Sequence, residues 1–215
     1  LEHLFSMEGK ICVVTGGSRG LGYFMAKGFL DAGAARVYIT ARKAEQCIEA
    51  AQELSQVSKG ECIALPGNIS SMDEIHALVA ALKERESSID VLVNNAGALF
   101  NPYGLTAERL EQSFALLLLS PYRLTRAIKP LLISADDPRV INVVSGGMYS
   151  QRLDVDMLEA TPDGYSGSVA YARAKRALMV VTQEWAQQWA GENIVVNAMH
   201  PGWADTPGVA TSLPT

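Results

Sequence analysis

Short apolar runs alternate along the chain with longer stretches in which apolar residues recur at helical spacing. The apolar runs predict six strands, at 10–15, 36–40, 61–65, 89–94, 139–144 and 194–199. The longer stretches predict helices at 21–32, 44–57, 72–82, 124–133 and 168–190, with another beginning after Thr106. Continuously apolar strands are typical of a parallel sheet covered by helices on both faces. The pattern therefore predicts an α/β fold built from βαβ units.

Local signals mark several helix ends. Ser71 and Glu74 form a capping-box pattern, in which Glu74 is expected to reach back to the start of its helix. Thr106 is placed to cap a later helix, and Pro121 is expected to kink or restart that helix before residue 124. The stretch 146–167 is polar with little helical period, which predicts a long loop that is functional or mobile.

The composition is that of a packed protein, with 215 residues, 48% of them hydrophobic and 19% charged. We expect a single domain over 1–215, because one core serves chains of up to about 250 residues. The net charge of −5 and the lack of a basic run argue against nucleic-acid binding. The run 114–119 is far shorter than the about 20 apolar residues of a membrane span. The first ten residues lack the features of a signal peptide.

The cysteines and histidines indicate neither disulfides nor a metal. Cys12, Cys47 and Cys62 are widely spaced, with no CxxC pair, and are expected to be reduced, mostly buried thiols of a cytoplasmic protein. Histidine, cysteine and carboxylate residues do not cluster at metal-ligand spacing, so we expect no metal site.

A glycine-rich turn, TGGSRGLG, follows the first predicted strand and opens the first predicted helix. Glycines in this position let backbone N–H groups approach a pyrophosphate at the positive end of the helix dipole. A purely structural tight turn, or the turn of an S-adenosylmethionine enzyme, uses similar residues. Because the turn comes directly after the first strand, we favour dinucleotide binding.

The residue that contacts the adenosine ribose is expected about 20 positions beyond such a turn. Arg42 stands there, with Lys43 beside it. An acidic residue would bind a free 2′-hydroxyl, whereas an arginine pairs with a 2′-phosphate, and Arg19 in the turn can approach the same group. The alternative is that Arg42 only ends a strand at the surface. The sequence favours NADP over NAD.

Tyr171 and Lys175 are four residues apart in a predicted helix and share one of its faces. A nearby ammonium group favours the phenolate and is expected to lower the pKa of the tyrosine, which makes it a better acid–base catalyst. The same spacing occurs in ordinary helices. The case for catalysis comes from its combination with the glycine turn, the NNAG sequence at 94–97 and Ser145 at the end of the fifth strand.

With these motifs in this order, the chain resembles the short-chain dehydrogenase/reductase family over nearly its whole length. The first hundred residues resemble members of the β-ketoacyl-reductase type. The second half, with a long gap between Ser145 and Tyr171, resembles the retinol-dehydrogenase-like branch. The resemblance implies a single NAD(P)-binding domain with a Rossmann-type, doubly wound parallel sheet.

The resemblance also implies roles for individual residues. Ser145, Tyr171 and Lys175 would be catalytic: Ser145 would hydrogen-bond the substrate oxygen, Tyr171 would exchange the proton, and Lys175 would hold the nicotinamide ribose. The implied cofactor-binding set is Gly16, Ser18, Arg19, Gly20, Leu21, Gly22, Arg42, Asn68, Ile69, Asn95, Ala96, Gly97, Tyr171, Lys175, Pro201, Gly202 and Thr206.

Besides the long gap between Ser145 and Tyr171, the chain departs from the family at two places. Leu117 stands where the family usually has an asparagine that completes a water-mediated proton relay, so the relay is rerouted or absent, and Leu117 is expected to be a core residue. The family's last helix and edge strand have no counterpart before Thr215.

The expected function is NADP-dependent hydride transfer between the nicotinamide and a ketone or secondary alcohol, with Tyr171 as acid/base. The alternative is a catalytically weak or inactive dinucleotide-binding protein. A methyltransferase built on a similar glycine turn would leave Ser145, Tyr171 and Lys175 without a role. An apolar, lipid-like substrate is suggested by pocket-side residues Met148, Tyr149, Met157, Leu158 and Trp203. The resemblance implies a homodimer or homotetramer, and Trp185 and Trp189 are expected in the core or at a subunit contact. His200 is expected to pack near the cofactor.

Overall fold

The computed structural model describes residues 2–202, with side chains from residue 4 onward. Its strands form one six-stranded parallel sheet in the order β3-β2-β1-β4-β5-β6. The strands are β1 (Ile11–Thr15), β2 (Arg36–Thr40), β3 (Glu61–Ala64), β4 (Val91–Asn94), β5 (Arg139–Val143) and β6 (Val195–Met199). The strand order reverses between β1 and β4, and in such sheets ligands bind beyond the carboxyl ends of the strands at this point. The predicted doubly wound α/β fold is confirmed.

Helices cover both faces of the sheet. They are α1 (Gly20–Asp31), α2 (Ala44–Gln56), α3 (Met72–Arg85), α4 (Gln112–Phe114), α5 (Ser120–Ile133) and α6 (Gly167–Gln188). Helices α1 and α2 pack on one face of the sheet, and α3, α5 and α6 pack on the other. In β1, Val13 points to the α3–α6 side while Cys12 and Val14 point to the α1–α2 side. This two-sided burial explains why the strand runs are continuously apolar.

The predicted start of the fourth helix was wrong. Thr106 does accept a hydrogen bond from the Leu110 N–H, at 3.3 Å, but this bond closes a turn that precedes the helix. Helix α4 begins at Gln112, and Glu111 caps it by accepting the N–H groups of Ser113 and Phe114. Sequence reasoning overlooked Glu111 because glutamate is not among the preferred N-cap residues.

Pro121 lies in the first turn of α5, which begins at Ser120, before residue 124, where the sequence predicts a kink or restart. A π-helical segment, Ala115–Leu119, joins α4 to α5 without a break. Pro121 has no N–H group and its ring crowds the preceding turn, so a locally wider turn accommodates it. The Ser120 hydroxyl also donates to the carbonyl oxygen of Ala115, at 2.7 Å.

The capping box at α3 forms only in part. Ser71 accepts a hydrogen bond from the Glu74 N–H, at 3.5 Å. The Glu74 carboxylate does not return to Ser71 but accepts the N–H of Asn68, at 2.6 Å. The reason is that the N–H of Ser71 is already bonded to the carbonyl oxygen of Asn68. Glu74 therefore fixes the segment that follows β3.

The loop predicted at 146–167 contains two short 3-10 helices, Gly146–Ser150 and Val155–Met157. Cys12, Cys47 and Cys62 are free and buried, as expected, and burial raises the pKa of both Cys12 and Cys62 to about 12. Within residues 2–202, no helix is both long and apolar enough to cross a membrane. The same residues contain no cluster of potential metal ligands.

Candidate active site

The glycine-rich turn follows the carboxyl end of β1, its Gly17 N–H donates to the carbonyl oxygen of Thr40 at the end of β2, and Arg19 lies immediately before α1. Gly16 has a φ of 69°, a left-handed conformation that favours glycine. A Cβ on Gly22 would collide with the carbonyl oxygen of Gly16 and lie 2.6 Å from the Asn95 Nδ2. The turn therefore needs glycine at both positions, because its backbone folds back onto the start of α1.

Thr15 and Asn95 join the glycine turn to the segment after β4. The Thr15 hydroxyl donates to the Val93 carbonyl oxygen and accepts the N–H groups of Asn95 and Ala96, both at 3.0 Å. The Asn95 side chain donates to the carbonyl oxygens of Thr15, at 2.9 Å, and Gly16, at 3.4 Å. These bonds fix the two segments at the point where the strand order reverses, the region in which such folds bind dinucleotides.

The residues expected around the adenosine follow the carboxyl ends of β2 and β3. Arg42 is exposed just beyond β2, and Arg19 is exposed in the glycine turn. Asn68 accepts the N–H of Ser70 through its side chain, at 3.2 Å, so it shapes the turn after β3. The side chain of Ile69 is buried in the core, so it packs under this turn.

The three expected catalytic side chains lie at the carboxyl end of β5. Ser145 follows this strand, and its hydroxyl also accepts the Gly147 N–H, at 3.2 Å. Tyr171 and Lys175 lie on α6, and the Ser145 side chain is close enough to the Tyr171 phenol to influence its pKa. The Lys175 Nζ donates to the carbonyl oxygen of Val143, at 2.6 Å, and lies 5.9 Å from the centre of the Tyr171 ring. The structure thus brings these three side chains to the same end of β5, although Tyr171 and Lys175 follow Ser145 by 26 and 30 residues in the chain.

Burial dominates the electrostatics of this cluster. It raises the pKa of the Tyr171 phenol, and the nearby Ser145 hydroxyl offsets part of that rise. It lowers the pKa of the Lys175 ammonium group to about 8. The expectation that Lys175 lowers the pKa of Tyr171 was therefore wrong for this structure, because both groups are withdrawn from water and Lys175 is bonded to a backbone carbonyl instead.

Leu117 is fully buried in the π-helical segment, as expected for a core residue. Its Cδ2 would lie 3.2 Å from a Cβ placed on Gly97, and the Lys175 Nζ would lie 3.9 Å from the same point. An isobutyl group therefore fills the space beside Gly97 and close to the lysine. A leucine side chain offers no hydrogen bond to a relay water at this position.

The segment after β6 lies beside Ser145. The His200 Nε2 would be 3.1 Å from a Cβ on Gly146, so the imidazole is packed against the residue that follows Ser145. Pro201 is partly buried, and Gly202 has a φ of 76°. Trp203 and Thr206 lie outside the described residues.

The sequence did not predict two sets of polar side chains that hydrogen-bond to each other near the site. The first joins β4 and β5: Asn94 donates to Thr125 and to Asn142, and Asn142 donates to Thr182 on α6. The second comprises Glu111 and Tyr165, whose hydroxyl donates toward the Glu111 carboxylate, at 3.1 Å. The only available signals were single polar residues inside apolar runs, which do not reveal their partners.

Comparison with known proteins agrees with this geometry. The family model described as short chain dehydrogenase matches residues 10–214. Human dehydrogenase/reductase SDR family member 12 is 37% identical over 97% of this chain and 65% of its own length. The rhamnolipids biosynthesis 3-oxoacyl-[acyl-carrier-protein] reductase of Pseudomonas aeruginosa is 37% identical over 92% of this chain and 74% of its own length. Human retinol dehydrogenase 13 is 29% identical over 94% and 61%, respectively.

A solved structure shows the same fold in detail. The Pseudomonas aeruginosa RhlG/NADP active-site complex superposes with a TM-score of 0.79 at 35% identity, covering 96% of this chain and 77% of that one. Relatives of both expected branches are therefore present, and the chain spans about two thirds of the length of the curated relatives that it matches. On the strength of the family match and these similarities, the chain belongs to the short chain dehydrogenase family.

Proposed function

We propose that this chain forms the NADP-binding and catalytic domain of an oxidoreductase that interconverts a ketone and a secondary alcohol. The observation that carries the proposal is that the segment after β4 connects the glycine turn with the side chain of Lys175. Asn95 holds the glycine turn, and two residues later Gly97 lies against the ammonium group of Lys175. A dinucleotide along this path would have its pyrophosphate at the start of α1 and its nicotinamide end beside Lys175.

The described residues fit this cofactor. Helix α1 begins at Gly20, so its first N–H groups have no acceptor within the helix, and Arg42 and Arg19 are exposed where a 2′-phosphate would lie. NADP is also the cofactor named in the complex of the Pseudomonas relative. When bound, the nicotinamide supplies or accepts the hydride.

The protein residues would then handle the proton. The Ser145 hydroxyl would hydrogen-bond the substrate oxygen, and the Tyr171 phenol would donate a proton to this oxygen during reduction or accept it during oxidation. Because burial raises its pKa, Tyr171 carries the proton that carbonyl reduction needs, but it is a weaker acid than the sequence predicted. The buried Lys175 would hold the nicotinamide ribose, one helical turn from Tyr171.

An apolar substrate is favoured by the loop between Ser145 and Tyr171. Tyr149 is 76% exposed and Val155 is 74% exposed, and Met157 is exposed as well. Met148 was expected at the pocket too, but it is buried in the core, and Leu158 packs partly against the core. Exposed apolar side chains on one loop beside a catalytic centre fit a substrate with an apolar body.

The second candidate is a dinucleotide-binding protein with little or no turnover. It is favoured by Leu117, whose buried side chain offers no hydrogen bond where the family's relay residue usually stands. A cytoplasmic location and a homodimeric or homotetrameric state remain predictions. Trp185 and Trp189, expected in the core or at a subunit contact, are buried within the chain. Their rings stack with 4.8 Å between the ring centroids.

Titration with NADPH and NADH, followed by energy transfer from tryptophan to the nicotinamide, tests cofactor binding. We expect NADPH to bind at least tenfold more tightly, and failure of both to bind would contradict the proposal. A screen of apolar ketones then compares Tyr171→Phe with wild type. Removing a general acid costs about 10²–10⁴-fold in rate, so the variant should lose turnover while NADPH binding persists. Tyr122→Phe, a change at an exposed tyrosine on α5 outside the site, is the matched control. A wild-type protein that binds NADPH without turnover supports the second candidate.

A further inference from the structure

Glu111 is a completely buried carboxylate next to the proposed active site. Its two oxygens accept the N–H groups of Ser113, at 2.8 Å, and Phe114, at 2.9 Å. Among the described side chains, no lysine, arginine or histidine forms an ion pair with it. Because a buried charge needs compensation, the helix N-terminus and every hydrogen-bond donor around this carboxylate matter.

Tyr165 supplies the additional donor, from the far end of the 146–166 loop. Its hydroxyl lies 3.1 Å from the Glu111 Oε1 and 2.9 Å from the carbonyl oxygen of Phe100. The Ser113 Oγ lies 3.4 Å from the same hydroxyl and can donate to it, while the phenol proton is shared between the Glu111 carboxylate and the Phe100 carbonyl oxygen. The Tyr165 ring packs edge-to-face on Tyr103, with 5.4 Å between centroids. Burial raises the pKa of Tyr165, which keeps the phenol in its donating form.

A second bond attaches the same loop to the same residue. The Glu159 side chain accepts the backbone N–H of Glu111, at 2.9 Å. Glu111 is therefore bonded through its carboxylate to Tyr165 and through its backbone to Glu159. The last part of the loop that connects Ser145 to Tyr171 is held against the segment that precedes α4.

This attachment continues into the catalytic helix. Helix α6 begins at Gly167, two residues after Tyr165, and a Cβ on Gly167 would collide with the carbonyl oxygen of Phe100. The first turn of α6 is thus pressed against the carbonyl group that Tyr165 also contacts. Tyr171 lies one turn further along α6, so its position depends on where this first turn is held.

We propose that Glu111 and Tyr165 are positioning residues that act as a latch. The latch holds the end of the substrate-side loop and the first turn of α6, so that the Tyr171 phenol stays beside Ser145. This inference rests on the oxidoreductase function proposed above. Neither residue touches the reacting atoms; both act through Tyr171, for which a displacement of about 1 Å is enough to reduce the rate on the order of 10²-fold.

The test uses the 215-residue chain and three variants: Tyr165→Phe, Glu111→Gln and the double variant. Tyr165→Phe keeps the ring and its contact with Tyr103 and removes only the hydroxyl. Glu108→Gln is the matched control, because Glu108 also accepts a backbone N–H, from Met72, but has no bond to the loop. The readouts are the NADPH dissociation constant, kcat and KM for an apolar ketone, and amide hydrogen exchange over residues 158–171.

We expect each single variant to lower kcat about tenfold while the NADPH dissociation constant stays within about twofold, because the glycine turn does not contact the latch. Exchange at Ala170 and Tyr171 should accelerate. The kcat of the double variant should be no lower than that of the less active single variant, because the effects of residues that act as a unit do not add. Glu108→Gln should change none of these quantities.

Folded single variants with unchanged kcat and unchanged exchange would overturn the latch. Multiplicative losses in the double variant would also overturn it, because they indicate two independent structural effects. If the wild-type chain binds NADPH but reduces no ketone, the proposed oxidoreductase function fails. In that case, amide hydrogen exchange over residues 158–171 tests the latch without an activity assay. Faster exchange in both single variants supports the attachment, and unchanged rates reject it.

Discussion

The ammonium group of Lys175 on α6 donates a hydrogen bond to the backbone carbonyl oxygen of Val143 on β5, with 2.6 Å between the two atoms. Ser145 follows two residues after Val143, so this bond fixes α6 against the end of the strand that precedes the serine. Lys175 is almost completely buried. Its position therefore depends on one bond to the backbone and on the packing around it.

The buried ammonium group makes stability depend on pH. Burial lowers the pKa of Lys175 from 10.5 to about 8, so between these values the unfolded chain binds more protons than the folded one. The contribution of Lys175 to the free energy of unfolding should rise as pH increases from 8 to 10.5, by about 3 kcal/mol in total. Urea unfolding of wild type and Lys175→Met across this range measures the difference. Parallel pH curves for the two proteins would contradict the prediction.

Two glycines of α1 should respond in opposite ways to a methyl group. Gly22→Ala places its Cβ against the Gly16 carbonyl oxygen and the Asn95 amide, so the turn must shift; we expect a loss of about 1–3 kcal/mol of stability and weaker NADPH binding. Gly28 is exposed, and a Cβ there meets nothing within 4 Å. Gly28→Ala should therefore stabilise the helix by about 0.5–1 kcal/mol. Thermal unfolding and NADPH titration of both variants provide the comparison.

Arg42 should determine the choice between NADPH and NADH. Pairing with a 2′-phosphate is a charge-assisted interaction worth about 1.5–3 kcal/mol, which corresponds to roughly 10–100-fold in affinity. We expect Arg42→Ala to weaken NADPH binding by this factor and to leave NADH binding unchanged. Lys59→Ala, at an exposed lysine in the loop before β3, is the control. An equal loss for both cofactors would show that Arg42 does not contact the phosphate.

Replacing Leu117 with asparagine should lower the stability of the protein and raise its turnover. Its side chain is fully buried, so Leu117→Asn should lower the free energy of unfolding by about 2–5 kcal/mol. The amide can hold a water molecule in the space beside Gly97 and Lys175, and we expect turnover per folded molecule to rise. Leu118→Asn, in the same π-helical segment, should only destabilise. Turnover that falls equally in both variants would argue against a relay at this position.

Much of the fold could be predicted because its signals are local. The β1 run is apolar at every position because Cys12 and Val14 face one helical layer and Val13 faces the other. The glycine turn was recognisable because the left-handed backbone at Gly16 and the close contacts around Gly22 both require glycine, and the sequence shows these glycines directly. The predictions that failed concerned competition between partners. Glu74 binds the N–H of Asn68 because that of Ser71 is already occupied, and a sequence pattern does not record occupancy.

The sequence by itself determined the alternation of strands and helices and the glycine turn, since each depends on residue type and short-range spacing. It predicted Ser145, Tyr171 and Lys175 as catalytic residues through the family resemblance of the motifs that contain them. The tertiary structure decided how those side chains interact. It buries Lys175 against Val143, so that burial rather than mutual attraction controls the pKa values of Lys175 and Tyr171. It also brings Tyr165 to the carboxylate of Glu111 across 54 residues of chain. The physical reason is that desolvation and long-range hydrogen bonding arise only when distant segments pack together and exclude water.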